Sequence, residues 1–450
     1  MQRFEYYGDL ENVVQGTGEL YLKDGIKHPV SFEIAKRGEE KLLFNAILDE
    51  VEAFDAFSLL TSAGLDKIEG VDSDGRKILV TGLLTKDSTV GSKTDSKVIL
   101  NGYAGQCEIG DKVFDDGFIA QFDLINFLFL GNKSVVKKSE KQNKVTRSML
   151  QLQFSDFECK IEQVDNYKVV KQLLKRQGGV IRTSKLIVEV KSQSDYETVL
   201  GKIRKLCQLL SVARSTFINW GSCKINDSGG VVIYELYGNA LTRPFHGNEL
   251  INDLPEDTLQ FLKSAWQAYD KYEEIFDMKR FLYGYADTYM NSFIETRSLN
   301  IAVLVDNLSS RWAKQENREK FLDEKIFIEN LPSLRKGVVE LLEKMFGNLK
   351  ESHAKVMSSK AKELNRRPLD WKLKRLCKAF NCPINNDEIK QFVYIRDSLA
   401  HSSLFPDDVN DTNAFLFMRH FLDRIVLSVF DYQGGYFDME SRTKKNLRIS

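Results

Sequence analysis

Near the C-terminus, the stretch Asp387-Glu-Ile-Lys-Gln-Phe-Val-Tyr-Ile-Arg-Asp-Ser-Leu-Ala-His401 combines a permanent cation with a titratable base. Its apolar residues recur at helical spacing and Pro406 lies just beyond, so a helix that stops before the proline is expected. With Ile389 at zero and about 100° per residue, Phe392, Val393 and Ala400 fall within roughly 60° of it and Arg396 at about −20°. A guanidinium is thus expected in the middle of the apolar stripe. Arginine keeps its charge in proteins, so there it needs a carboxylate partner or a cleft that receives an anion. His401 comes five residues later, about 140° round an ideal helix. Asp397 lies one turn before it, where its carboxylate can accept from the imidazole and fix the tautomer. An arginine holding a phosphate and an imidazole moving protons at a 2′-hydroxyl or a leaving oxygen are what RNA cleavage without a metal requires.

The motif Arg396-Asp-Ser-Leu-Ala-His401 resembles that of HEPN domains, which carry Arg, a polar residue, a few more residues and then His near the end of a long helix. The earlier segment Glu295-Thr-Arg-Ser-Leu-Asn-Ile-Ala-Val-Leu-Val-Asp-Asn-Leu308 is similar to the large HEPN domains of ApeA-like anti-phage proteins, which also follow a β-rich N-terminal region. The resemblance covers residues 251–450 well and the first 250 only in general layout. It implies a metal-independent endoribonuclease that needs no cofactor and works as a homodimer with facing motifs. It also implies RNA as substrate, tRNA included, a role in anti-phage defence by abortive infection, and a phage-derived trigger. Arg396 is then the phosphate clamp, His401 the acid/base and Asp397 its orienting partner. The chain departs from the family in having Asp397 where Asn is commoner, which adds negative charge beside the phosphate. A scaffold that binds RNA or dimerises without cutting is the alternative.

A second feature points to a polyanion. Lys355, Lys360, Lys362, Arg366, Arg367, Lys372, Lys374, Arg375 and Lys378 crowd the segment before the motif, with Trp371 and Phe380 among them. Of these, Arg366, Arg367, Lys372, Lys374, Arg375 and Lys378 are the candidate RNA contacts: phosphate neutralisation gives affinity without sequence readout, and an aromatic can stack an unpaired base. A solvated basic helix face with Trp371 in the core explains the pattern equally well. Other chemistries find no support. There is no Gly-x4-Gly-Lys-Ser/Thr loop, Gly16-Thr-Gly18 lacks the rest of a dinucleotide fingerprint, and no Gly-x-Ser-x-Gly elbow occurs. Cys377 and Cys382 have no second pair or nearby histidine at zinc spacing and read as free thiols, so no metal site is expected. His28, His246, His353 and His420 are isolated, and His420 sits among apolar residues where a hydrogen-bonded core role is expected.

The elements that must position these residues divide the chain. Lys plus Arg and Asp plus Glu number 64 each, so no global field draws the molecule to nucleic acid, and a polyanion has to be held by a local patch. An N-terminus without a signal-peptide pattern, the lack of a long apolar run and six scattered cysteines lead us to expect a cytoplasmic protein that does not enter a membrane. Alternating runs at 18–22, 30–34, 41–48, 77–81, 97–101 and 149–154, with Asp24-Gly25 and Asp74-Gly75 as turns, predict a mostly antiparallel β domain over residues 1–165. Lys137 to Lys144 is expected to be an exposed loop. Residues 166–250 predict a mixed extension, with strands at 186–190 and 231–236 and a helix from Tyr196 to about Phe217. After Pro255 the spacing turns to threes and fours, as in Phe261-Ala265-Trp266-Tyr269-Tyr272-Phe276, so residues 251–450 predict an all-α bundle. The fold class is therefore α+β and multidomain.

Overall fold

Period-two alternation carries the N-terminal half of the chain into strands: Val98–Ala104 alternates strictly between buried and half-buried residues, and Lys77–Thr81 buries every second residue. The computed structural model describes the chain except residues 1–9, 39–40, 50–63, 91–96, 112–116, 139–142, 239–243, 246–248, 290–292, 348–355, 357–359, 442 and 448–450. The described chain forms two units, Met1–Lys263 and Ser264–Ser450.

The strands of the first unit are β1 (Leu10–Leu22), β2 (Lys27–Arg37), β3 (Lys41–Leu48), β4 (Leu65–Asp72), β5 (Lys77–Thr81), β6 (Leu84–Val90), β7 (Val98–Ala104), β8 (Gln106–Gly110), β9 (Phe118–Ile125), β10 (Lys133–Lys138), β11 (Asn143–Gln153), β12 (Glu158–Gln163), β13 (Arg182–Val190), β14 (Asn219–Asn226) and β15 (Val232–Tyr237). They join in one sheet, ordered β10-β11-β12-β13-β9-β14-β15-β8-β5-β4-β1-β2-β3-β7-β6, and the pairings are antiparallel. Gly105 alone separates β7 from β8, yet five strands stand between them in the sheet. The sheet must therefore curl back on itself, and the buried residues of β1 to β5, β7 and β8 share one core around Phe32, Ile34, Phe44, Ile68 and Leu100. Gly16 and Gly18 serve this packing: a Cβ on either would strike backbone of β4, at the Val71 and Glu69 carbonyls.

Because β13, β14 and β15 hydrogen-bond into the same sheet as β8 and β9, residues 166–250 are part of the first unit's fold. Two helices, α1 (Tyr167–Gln177) and α2 (Gln193–Arg214), accompany these strands. Buried Arg214 ends α2 and donates to the Leu128 and Ile251 carbonyls and to Thr258 Oγ1. Lysines 137 and 138 extend strand β10 and residues 143 and 144 open β11, so only 139–142 of the expected loop lie between strands, outside the described residues. The first unit ends inside a helix, α3 (Pro255–Phe276).

In the second unit α4 (Met278–Asp287), α5 (Ile294–Gln315), α6 (Glu324–Phe346), α7 (Leu369–Ala379), α8 (Asn386–Ser402) and α9 (Asp411–Val429) follow, with a 3-10 turn at Ala361–Asn365. Helix α5 is central and packs against α4, α7, α8 and α9. Its buried stripe, Ile301, Leu304, Val305 and Leu308, is the one its spacing predicts. The unit is not all-α: a hairpin of β16 (Gly435–Asp438) and β17 (Thr443–Asn446) closes it. Among the described residues no helix is long and apolar enough to cross a membrane.

Candidate active site on the motif helix

Asn385 starts α8 with a capping box: its Oδ1 accepts from the Asp387 and Glu388 N–H groups at 2.9 Å, and Glu388 Oε2 accepts from the Asn385 N–H at 2.7 Å. The other oxygen of Glu388 accepts from Arg424 Nη2 at 2.7 Å and ties the start of α8 to α9. Ser403, left-handed at φ 62°, ends the helix.

The buried face is Ile389, Phe392, Ile395 and Leu399, while Val393 is half-buried and Ala400 exposed. The stripe is therefore centred about 45° away from Arg396 on an ideal helix, and the arginine stands on its shoulder instead of its middle. This corrects the sequence expectation: Ile395 and Leu399 pull the buried direction round, and Phe392 stacks on Phe421 with ring centroids 4.4 Å apart. The stripe is covered within one chain.

Arg396, 30% exposed, donates from Nη2 to Asp306 Oδ2 at 2.9 Å and from Nη1 to Asp397 Oδ1 at 2.8 Å. Burial works to lower its pKa, and the hydrogen bonds and charges of Asp397 and Asp306 more than offset this, so the value is raised. Asp306 in turn accepts from Ser310 Oγ at 3.1 Å, and Ser310 accepts from Lys372 Nζ at 3.0 Å. One polar chain thus joins α7, α5 and α8: Lys372, Ser310, Asp306, Arg396, Asp397. Sequence reasoning missed two of these members, Ser310 and the one that touches the arginine, Asp306. Its signal was a lone carboxylate in the run Ile301 to Leu308, one helix turn before Ser310.

His401 is exposed in the last turn of α8, on the side away from the buried face. Asp397, expected to orient it, is turned to Arg396 instead, and among the described residues no hydrogen bond links Asp397 to His401. A guanidinium one residue away offers the carboxylate a charged donor at 2.8 Å, which outcompetes a solvated imidazole. Arg396 and His401 therefore share a helix but do not converge within one chain.

The basic segment is mostly engaged. Arg375 pairs with Glu316 at 3.2 Å and Lys374 with Asp370 at 3.1 Å. The Arg367 guanidinium lies 4.0 Å from the Phe321 ring and 4.7 Å from that of Trp371. Arg366 and Lys378 are exposed and carry no ion pair among the described residues. Half-buried Phe380 packs against Tyr272, Phe276 and Trp312, so its ring is engaged within the bundle. Lys360 pairs with Glu363, and Lys355 and the side chain of Lys362 lie outside the described residues.

Two further polar groups sit in the bundle. Arg419 and Asp423, 1% and 2% exposed, pair at 2.9 Å one turn apart on α9. Tyr285 donates to Asp423 at 2.6 Å, and the Arg419 guanidinium lies 3.6 Å from the Tyr289 ring and also donates to Thr288. The cluster is closed on all sides and reads as structure. His420 faces Asp438 at 3.1 Å and stacks on Tyr436. His246 and His353 lie outside the described residues. His420, Asp438 and Glu440 bring ligand atoms within 4.8 Å of one another, but Asp438 is already occupied by Lys445, Ser441 and the Glu440 N–H, which is the bonding of a hairpin turn.

Burial, first, and Arg424 hold the His420 imidazole down at about 4, against the opposing pull of Asp438. Between that value and the ordinary 6.5 the unfolded chain binds the proton more readily, so this contribution is complete above about pH 6.5 and is lost as pH falls towards 4. We expect on the order of 2–3 kcal/mol to disappear over that window. Melting temperatures at pH 7.5 and 4.5 check it: His420→Gln should show a clearly shallower decline than the parent, and parallel declines would discard the assignment.

Comparison with protein-family models, with curated proteins and with solved structures returned no match. The class that the fold and site define is that of an antiparallel β unit followed by a mainly helical unit whose motif helix presents an arginine and a histidine. The residues themselves carry the functional reading.

Proposed function

We propose that the chain is a HEPN-type, metal-independent endoribonuclease, with its β unit as sensor or regulator and a role in anti-phage defence. The observation that carries the reading is Arg396 on α8, reachable from solvent and held by Asp306, with exposed His401 in the helix's last turn. Two of the five guanidinium N–H donors are used on Asp306 and Asp397, which leaves three for a phosphate. His401 has no hydrogen-bond partner among the described residues and is open to move a proton. Because the two side chains diverge, a working site joins the arginine of one copy to the histidine of another, which makes the active form a homodimer. Helix α6 offers it surface: Ile326, Ile328, Leu341 and Met345 are each more than half exposed.

Cleavage by this pair leaves a 2′,3′-cyclic phosphate and proceeds in EDTA, since the 2′-hydroxyl is the nucleophile and the arginine supplies the cation. Digestion of total RNA with purified protein, followed by end-group analysis, checks both. Activity abolished by EDTA and restored by magnesium would refute the reading. A second reading, a scaffold that binds RNA or a partner without cutting, draws support from Arg396 having both fork nitrogens on carboxylates. RNA retained on the protein but intact after long incubation selects it.

A further inference from the structure

Helix α7 ends in a turn that sets two thiols against each other. The Cys382 N–H donates to the Cys377 carbonyl at 2.8 Å, and Asn381 between them is left-handed at φ 50°. With Phe380 as the capping residue, this is a Schellman ending, whose six-to-one hydrogen bond brings the side chains of its outer residues together across the turn. Those positions commonly hold an apolar pair. Here they hold Cys377 and Cys382. Standard bond lengths and the trigonal angle at the carbonyl carbon, added to that hydrogen bond, keep the two Cα atoms within about 6.7 Å, inside the ~4.4–6.8 Å that disulfides span.

The surroundings differ from those of the other cysteines. Cys377 and Cys382 line a cavity of about 600 Å³ beside the start of α8, with Lys374 and Lys378 on its wall, and Cys382 is half-buried. The Cys377 thiol, then Ser428 and Arg424, hold Cys382 below the ordinary thiol value against the effect of burial. Cys377 is pushed up in turn by Cys382 and by burial. Cys107, Cys159, Cys207 and Cys223 are buried, and burial pushes Cys107, Cys207 and Cys223 up to about 12. One thiol of the pair is thus set to react and its neighbour to follow.

We propose that Cys377 and Cys382 are a redox-active dithiol that a hydroperoxide converts to a disulfide, with Cys382 attacking and Cys377 resolving. The Cys382 thiolate attacks one peroxide oxygen; the S–O bond forms, the O–O bond breaks and hydroxide leaves to become water. Sulfur is oxidised to the sulfenic acid and the peroxide is reduced. The Cys377 sulfur, giving up its proton, then attacks that of Cys382. The S–S bond forms and the S–O bond breaks, and hydroxide takes up the proton as a second water. The disulfide locks the turn through which α7 passes into the capping box of α8.

Tryptic mapping of the full chain after hydrogen peroxide tests this directly, because trypsin cuts at Lys378, between the two cysteines. Peptides Leu376–Lys378 and Ala379–Lys390 should appear joined, at their summed mass less one hydrogen from each, and separate with dithiothreitol. Cys107, Cys159, Cys207 and Cys223 should remain alkylatable after unfolding. Before oxidation, Cys382 should alkylate at least ~10-fold faster than those four. In Cys377→Ser the reaction should stop at a dimedone-reactive Cys382, and in Cys382→Ser no label should reach Cys377. The parent mapping stands even if a variant fails to fold. Two separate sulfinic acids without a joined peptide, or a pair that oxidises no faster than the buried four, would overturn the proposal. Labelled Cys377 in Cys382→Ser would overturn the assignment of roles.

Discussion

On the proposed function, RNA incubated with protein carrying His401→Ala or Arg396→Ala is expected to stay intact, a loss of at least ~100-fold in cleavage rate. His401 is exposed and touches no core group, so its loss should leave the melting temperature within about a degree, as surface substitutions do. Arg396→Ala removes a partly exposed pair with Asp306 and should cost at most ~1 kcal/mol, too little to explain inactivity by unfolding. Arg396→Lys keeps the charge but not the planar fork and should recover only a small part of the rate. The divergence of the two side chains, about 140° on an ideal helix, adds a test of the composite site. Mixing the two inactive variants should restore a measurable fraction of cleavage, because a mixed dimer sets the intact Arg396 of one copy opposite the intact His401 of the other. Single variants that cut at the parental rate would remove both residues from the site. Inactive singles that never complement would leave the pair but not the shared arrangement.

Arg419→Ala is expected to destabilise the helical unit by ~3–5 kcal/mol. It leaves the Asp423 carboxylate at 2% exposure without its cation, beside Tyr285 and Thr288. Burial already raises the Asp423 pKa against the effect of Arg419, which marks a carboxylate that tolerates its site only with the guanidinium present. For a unit of this size the loss corresponds to roughly 6–20 °C in melting temperature. The double change Arg419→Met with Asp423→Leu removes both charges and should regain most of it, since apolar replacement of a buried pair is often neutral. A single variant within ~1 kcal/mol of the parent, or a double variant as unstable as the single, would show that the pair does not act as a closed unit.

The boundary between strand-rich and helix-rich halves was legible because periodicity is local: a two-residue repeat and a 3.6-residue repeat differ within one element. Strands β1, β2, β3, β5, β7, β11, β13 and β15 and helices α2, α3 and α8 fall where their patterns place them. Strands β4, β6, β8, β9, β10, β12, β14, β16 and β17 were not read from the sequence. Glu158-Cys-Lys-Ile-Glu-Gln163 and Asn219-Trp-Gly-Ser-Cys-Lys-Ile-Asn226 carry few large apolar residues and become strands through pairing with distant neighbours. That residues 166–250 belong to the first unit's sheet is a property of those pairings, and no local pattern encodes it.

At the candidate site the same division holds. Sequence alone determined that Arg396 and His401 lie on one helix that stops before Pro406, because the apolar spacing and the proline are near neighbours in the chain. It also showed that an arginine so close to an apolar face must have an anionic partner. Only the tertiary structure decided which partner: Asp306 is 90 residues away, and nothing in the motif points to it. Tertiary contact also decided the facing of the helix, since Phe392 stacking on Phe421 turns Arg396 to the shoulder and His401 to solvent. Asp397 left the histidine for the same reason, because a hydrogen-bonded guanidinium held in place by α5 is a stronger attraction than a solvated imidazole. Local spacing fixes what a helix can present, and the long-range packing energy of its neighbours fixes which way it turns.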